Sequence, residues 1–320
     1  MIEQRAVFVG EGFMRWFSQF VLSVWLLVGS PAFAQQQDFS KIDVKGSKVN
    51  GNVYMLQADP GSGNIGASVG PDGILIVDDQ FAPLADKIRA ALKEAGGGPL
   101  KFVLNTHWHF DHVGGNKVFG PEAPIIAHTN VRKRLTTDQT LMGRAFPAEP
   151  KEAWPVITFD QSLSIHFNGE EIKVFHMFPG HTDGDSVVFF TGSKVVHMGD
   201  QFIANGFPFI DWESGGDVEG FAKNVETVLA QLPPDTKVIP GHGALSTYDD
   251  LKTYHRMLIE TTESVRQRMA AGKSLDAIKA EGLSDEWKSF GAGFIKTEMW
   301  IEAIHKGLSQ KKAPMKSGGK

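Results

Sequence analysis

The sequence predicts a layered α/β protein, two β-sheets packed face to face with helices on the outside. Three observations carry that expectation. Short strand-like runs fall into two groups, each followed by a helical segment and one more buried strand. Glycine and Asp-Gly signals separate strands within a group, as a meander requires. The histidine-rich clusters lie where strand-like runs end.

In the first group, strands are expected over 52–58, which contains Val53-Tyr54-Met55-Leu56, and over 65–69 and 74–77. Gly61-Ser62-Gly63 and Asp72-Gly73 supply turns. A helix follows over 81–95, with Leu84, Ile88 and Leu92 on one spacing and Gly96-Gly97-Gly98 ending it. Phe102-Val103-Leu104 reads as a buried strand, and helical segments are expected near 115–119 and 129–142. The second group has strands near 163–167, 171–177, 186–191 and 194–198, a helix over 218–232, and the strand Lys237-Val238-Ile239. Residues 249–270 and 274–282 read as an amphipathic helical tail, and Ser317-Gly318-Gly319-Lys320 as a frayed end.

The N-terminus reads as a targeting segment. Arg15 precedes an apolar stretch from Trp16 to Gly29, and Ala32-Phe33-Ala34 offers a small-x-small cleavage site before Gln35. The stretch is shorter than the ~20 residues that span a bilayer, which favours a cleaved secretory signal over an anchor. The expected organisation is a signal peptide at 1–34, one domain over 35–246, and a helical extension of that domain over 247–320 with a flexible tail. No stable membrane span remains after cleavage, and the expected location is periplasmic or secreted. The net charge of −5 gives no electrostatic reason for a nucleic-acid partner. The chain contains no cysteine, so disulfides, thiol nucleophiles and thiolate ligands are excluded. Stability must come from packing or bound metal. The oligomeric state is not legible.

Four clusters carry the chemistry: Thr106-His107-Trp108-His109-Phe110-Asp111-His112, Pro179-Gly180-His181-Thr182-Asp183-Gly184-Asp185, His197-Met198-Gly199-Asp200 and Pro240-Gly241-His242-Gly243. The polar groups of the first cannot all be buried unpaired without a large cost. His107 and His109 can point one way while Asp111 and His112 point to a neighbouring position. A zinc ion with an open place wants three protein ligands. His181 can complete the first set, His242 can join Asp111 and His112, and Asp200 can bridge. Two divalent ions roughly 3.5–4 Å apart would share a hydroxide as nucleophile. Two zinc ions are expected; iron or manganese also suits nitrogen and oxygen donors.

The run His107–His112 resembles the His-x-His-x-Asp-His marker of the metallo-β-lactamase fold superfamily, and the resemblance extends over roughly 41–246. It implies an αββα sandwich of two mixed β-sheets flanked by helices, with the metals at the sheet edges. It also implies His107, His109 and His181 on one metal, and Asp111, His112 and His242 on the other. Asp200 would bridge them, as in the hydroxyacylglutathione hydrolase branch. Asp200 and Ile203 stand where the best-known lactamase branch has cysteine and a carboxylate-binding lysine.

The expected function is hydrolysis of a small cyclic amide or ester, β-lactams included, with Asp111 and Asp200 as catalytic residues. A lactonase, esterase or phosphodiesterase is the alternative, and a non-catalytic metal-binding accessory protein the bland one. His128, His166, His176, His197, His255 and His305 read as structural or surface residues. Asp78 or Asp79 could orient a ligand imidazole or cap a turn, and Asp183 and Asp185 could do likewise. Trp108, Phe110, Phe207, Phe209 and Trp212 read as a possible apolar wall of the substrate cleft.

Overall fold

The fold follows from strands that are apolar on both faces, each face meeting a different layer. In the computed structural model, residues 38–58 and 62–312 are described; the signal segment at 1–34 and the tail end at 317–320 lie outside them. The strands are β1 Val44–Asn50, β2 Val53–Ala58, β3 Ile65–Gly70, β4 Gly73–Val77, β5 Gln80–Phe81, β6 Leu100–Leu104, β7 Ile125–His128, β8 Gln139–Leu141 and β9 Arg144–Phe146. Next come β10 Ile157–Phe159, β11 Ser162–Phe167, β12 Glu170–His176, β13 Ser186–Phe190, β14 Val195–His197, β15 Lys237–Ile239 and β16 Ser246–Thr247. The helices are α1 Ala85–Glu94, α2 Phe110–Val113, α3 Asn116–Phe119, α4 Thr129–Leu135, α5 Val218–Leu229, α6 Tyr248–Ala270, α7 Leu275–Glu281 and α8 Thr297–Lys312.

One sheet has the order β1-β2-β3-β4-β6-β7-β10, the other β11-β12-β13-β14-β15-β16. Both are mixed: β4, β6, β7 and β10 pair in parallel, and so do β14 and β15. Alternation along each strand builds the layers. Leu75 and Val77 of β4 join Val188, Phe190 and Val195 in the core between the sheets, while Ile74 and Ile76 pack with Leu84, Ile88 and Leu92 around α1. On the far side, Val187 and Phe189 meet Phe221, Val225, Leu251, Tyr254 and Trp300 from α5, α6 and α8. This is the αββα sandwich that the sequence led us to expect.

Several local expectations are corrected. The helix expected over 129–142 stops at Leu135, and β8 and β9 form a hairpin instead. Met142 and Gly143 both adopt left-handed backbone, φ 51° and 72°, the conformation of a two-residue hairpin turn. The helix expected from Phe81 begins at Ala85, because Phe81 bridges to Gly114. The helix expected to reach 232 ends at Leu229. β1, β7, β10, β16 and α8 were not expected.

The C-terminal helices share the core of the second sheet. Trp300 is fully buried, stacks on Phe207 at 6.0 Å, and donates from Nε1 to Thr261 Oγ1 at 3.0 Å. Trp300→Ala should therefore lower unfolding free energy by about 3–5 kcal/mol. A urea titration showing under about 1 kcal/mol would mean that α8 is not part of the core.

Candidate metal centre

The centre is assembled at the ends of strands from both sheets. β6 ends at Leu104, and the chain then runs through His107 and His109 into the turn α2, which carries Asp111 and His112. Asn105 and Asn116 side chains bond to one another at 3.0 and 2.9 Å and hold this excursion closed. The second sheet contributes His181 after β12, Asp200 after β14 and His242 after β15.

All seven side chains converge as two groups. His107, His109, His181 and Asp200 form one, and Asp111, His112 and His242 the other. Asp200 faces both. Its Oδ2 lies 4.0 Å from His107 Nε2 and 3.5 Å from His181 Nε2, while its Oδ1 lies 3.1 Å from His112 Nε2 and 3.4 Å from His242 Nε2. His242 Nε2 is 3.2 Å from Asp111 Oδ2. Donors bonded to one tetrahedral ion stand roughly 3.3 Å apart, so these separations fit metal ligation.

The hydrogen bonds decide whether a cation belongs there. His181 Nδ1 donates to the Phe209 carbonyl at 2.8 Å, and His109 Nε2 to Asp211 Oδ2 at 3.0 Å. Those bonds fix the tautomers. The nitrogens left over, His181 Nε2 and His109 Nδ1, face each other with lone pairs at 2.8 Å. His107 Nε2 and Asp200 Oδ1 are buried without a hydrogen-bond partner. Two facing lone pairs and two orphaned acceptors are what a cation would satisfy, so the residues fit the group.

Asp78 resolves the choice between the two aspartates. It accepts from His112 Nδ1 at 2.8 Å, from Thr106 N at 2.7 Å and from Thr106 Oγ1 at 2.8 Å. Thr106 Oγ1 in turn contacts His107 Nδ1 at 2.9 Å. One carboxylate thus orients His112 directly and His107 through a hydroxyl. Asp79 accepts from Gly115 N instead, and burial, followed by neighbouring Asp78, pushes its carboxyl well above the usual range. Asp185 accepts from Thr182 and Gln201, and burial raises it to about 7. Asp183 pairs with Arg134. Asp211 orients the candidate ligand His109 but was missed, because nothing near it in sequence points to His109.

Electrostatics divides the imidazoles. Burial and neighbouring histidines hold His107 well below its ordinary value and His181 at about 4. Burial opposes the charge on His242 and His112, but Asp200 and Asp111 outweigh it; His242 rises to about 10, and His112 well above its usual range. Burial likewise opposes ionisation of Asp200, yet His242 and His112 hold its carboxyl well below the normal range.

Other histidines and aromatics fall outside the two groups. His197 accepts from Gly199 N, and His176 stacks on His128 at 3.6 Å. Phe209 is half-buried with its ring 5.9 Å from that of His181, so it does flank the site. Phe207 packs into the core on Trp300, and Trp212 lies under Lys306; neither walls the cleft.

A sequence profile described as the metallo-β-lactamase superfamily matches residues 58–242. The chain belongs to this superfamily. Among curated relatives, the probable metallo-hydrolase YqgX of Bacillus subtilis (strain 168) is 32% identical over 181 residues, 53% of this chain and 82% of that protein. A hydroxyacylglutathione hydrolase of Pelagibacter ubique (strain HTCC1062) is 30% identical over 148 residues, 45% of this chain and 52% of the relative, so the match spans about half that relative's length. A solved metallo-β-lactamase from Pontibacter korlensis superposes with a TM-score of 0.56 at 17% identity, covering 68% of this chain and 99% of that one. A double mutant of the sec-alkyl sulfatase PisA1 gives 0.61 at 16% identity, covering 83% of this chain and 50% of that one. At these identities the superpositions speak for the superfamily fold. Among the described residues no helix is long and apolar enough to cross a membrane.

Two outcomes follow for the metal-free chain. Asp78→Asn should weaken metal binding roughly 10–100-fold for both groups, and Asp211→Asn only for the group containing His109; competition with a chromogenic chelator measures each. His242 is raised from 6.5 to about 10, so its contribution to metal-free stability is complete below pH 6.5 and lost as pH rises through about 10. At neutral pH a metal must displace that proton. Affinity at Asp111, His112 and His242 should then fall about tenfold per proton displaced for each unit of acidification. Calorimetry in buffers of different ionisation enthalpy should detect the released protons; no release would contradict the assignment.

Proposed function

We propose that the protein is an exported, zinc-dependent binuclear hydrolase that opens a small cyclic amide or ester, β-lactams among its candidate substrates. The observation that carries this reading is Asp200, whose two carboxylate oxygens each face a different ligand group. His107, His109 and His181 would hold the first ion and Asp111, His112 and His242 the second, with Asp200 spanning both. When bound, two such ions supply Lewis acidity and a hydroxide available at neutral pH.

The protein's own part is positioning. Asp111, His242 and Asp200 are the more exposed ligands, at 16%, 26% and 10%, so the centre opens on their side. Asp111 there orients the attacking water and accepts its hydrogen bond. Phe209 and Trp108 keep solvent off the His109 side. Export, read from residues 1–34, would put the protein where β-lactams are met. Ile203 in place of a carboxylate-binding lysine makes such substrates poorer ones.

A second reading is hydrolysis of a thioester. It is favoured by the two-sided Asp200 and by the hydroxyacylglutathione hydrolases among the relatives. A panel of a chromogenic cephalosporin, an aryl lactone, a thioester and bis(p-nitrophenyl) phosphate separates the readings. Chelation should abolish turnover and zinc restore it, and Asp111→Asn should cut kcat by about 10²–10⁴-fold. Unchanged turnover in metal-stripped protein would overturn the proposal. Two bound metal equivalents with no turnover of any substrate would favour the non-catalytic role.

A further inference from the structure

The aromatic residues threaded between the ligands lead out of the centre onto the β8–β9 hairpin. Phe110 sits between His109 and Asp111 and is 42% exposed. It stacks on Phe146 at 5.3 Å with an interplanar angle of 11°. Phe146 also meets Trp108 edge-on at 6.4 Å, and Trp108 lies 4.9 Å from the His109 ring. Phe146 is therefore a single side chain removed from the first ligand group.

The hairpin register places a cation beside that aromatic pair. Leu141 stands opposite Arg144, and Gln139 opposite Phe146. Opposed residues, and residues two apart on a strand, share a face. Arg144 and Phe146 are thus on one face, the one whose Leu141 is buried against the body. Arg144 is exposed, and no carboxylate among the described residues pairs with it.

The hairpin is anchored at its base and free at its tip. Arg134 donates to Gln139 Oε1 at 3.0 Å and to the two oxygens of Asp183 at 2.9 and 2.7 Å, linking β8 to the loop that carries His181. Met142 at the tip is 54% exposed, and a side chain on Gly143 would meet nothing within 4 Å.

We propose that this hairpin is the substrate-selecting arm of the metal centre. Phe110 and Phe146 take an apolar part of the substrate, and Arg144 takes a carboxylate attached to it. Stacked rings offer a large contact area at little entropic cost, and a guanidinium fork matches a carboxylate. The assignment rests on the hydrolase reading for its meaning, so its test reads binding apart from turnover.

The zinc-loaded full chain is titrated calorimetrically with 1-naphthylacetate and with the neutral 1-naphthylmethanol. The unmodified protein should prefer the acid by about tenfold. Arg144→Gln should abolish that preference, Arg144→Lys should retain part of it, and Phe146→Ala should weaken both probes about fivefold, all with unchanged metal content and circular dichroism. An acid preference that survives Arg144→Gln, unaltered binding in Phe146→Ala, or no binding of either probe overturns the proposal. Intact probe binding without turnover of any substrate in the panel would strike the hydrolase reading and leave the arm. Full turnover with none of these effects would strike the arm alone.

Discussion

Lone pairs of the same sign are made to face one another at the heart of this protein, and its local architecture exists to keep them there. His109 and His181 could relieve their 2.8 Å approach by turning their rings. They are prevented from doing so because the outer nitrogen of each is already engaged, by Asp211 and by the Phe209 carbonyl. His107 and His112 are governed from one buried carboxylate, Asp78. Its position is set by the parallel pairing of β4 with β6: Asp78 N bonds to Leu104 O at 2.7 Å, which brings its side chain beside Thr106. Asp78 adopts φ 64°, an uncommon backbone for a residue with a side chain, and such conformations gather at functional sites.

The candidate ligands from the second sheet are held by a different network. Asp185 accepts from Thr182 within the His181 loop and from Gln201, which directly follows Asp200. Asn224 on α5 then bonds to Gln201 Oε1 and to the Phe178 carbonyl. One chain of amides and a carboxylate thus ties two ligand-bearing loops to a helix in the outer layer. A Cβ at Gly180 would come within 2.7 Å of Asn224 and 2.8 Å of Gln201, so only glycine lets the chain pass this close.

The sequence was most informative where function compresses it. Four donors between His107 and His112, each later group following a strand, point to the seven side chains that the fold brings together, because few other reasons gather such residues. Strands such as β4 and β13 were legible because both faces are apolar, and that same property, Ile74 and Ile76 outward against Leu75 and Val77 inward, builds the layers. What stayed hidden depends on distant partners. Asp211 is a loop aspartate until the fold brings His109, 102 positions away, into contact. The stretch 129–142 has helical character, yet left-handed backbone at Met142 and Gly143 lets a hairpin win. Phe207 and Trp212 looked like cleft residues because α8, which covers them, was not anticipated.

Each ligand group draws on both halves of the sandwich. His107 and His109 follow β6 of one sheet and His181 follows β12 of the other; Asp111 and His112 are likewise matched with His242 across the seam. An ion seated in either group therefore rivets the two sheets together in a chain that has no disulfide to do so. The rivet is reversible, so the unfolding free energy of the fold becomes a function of the free metal concentration around it, rising with the logarithm of supply once the ion is in excess of its dissociation constant.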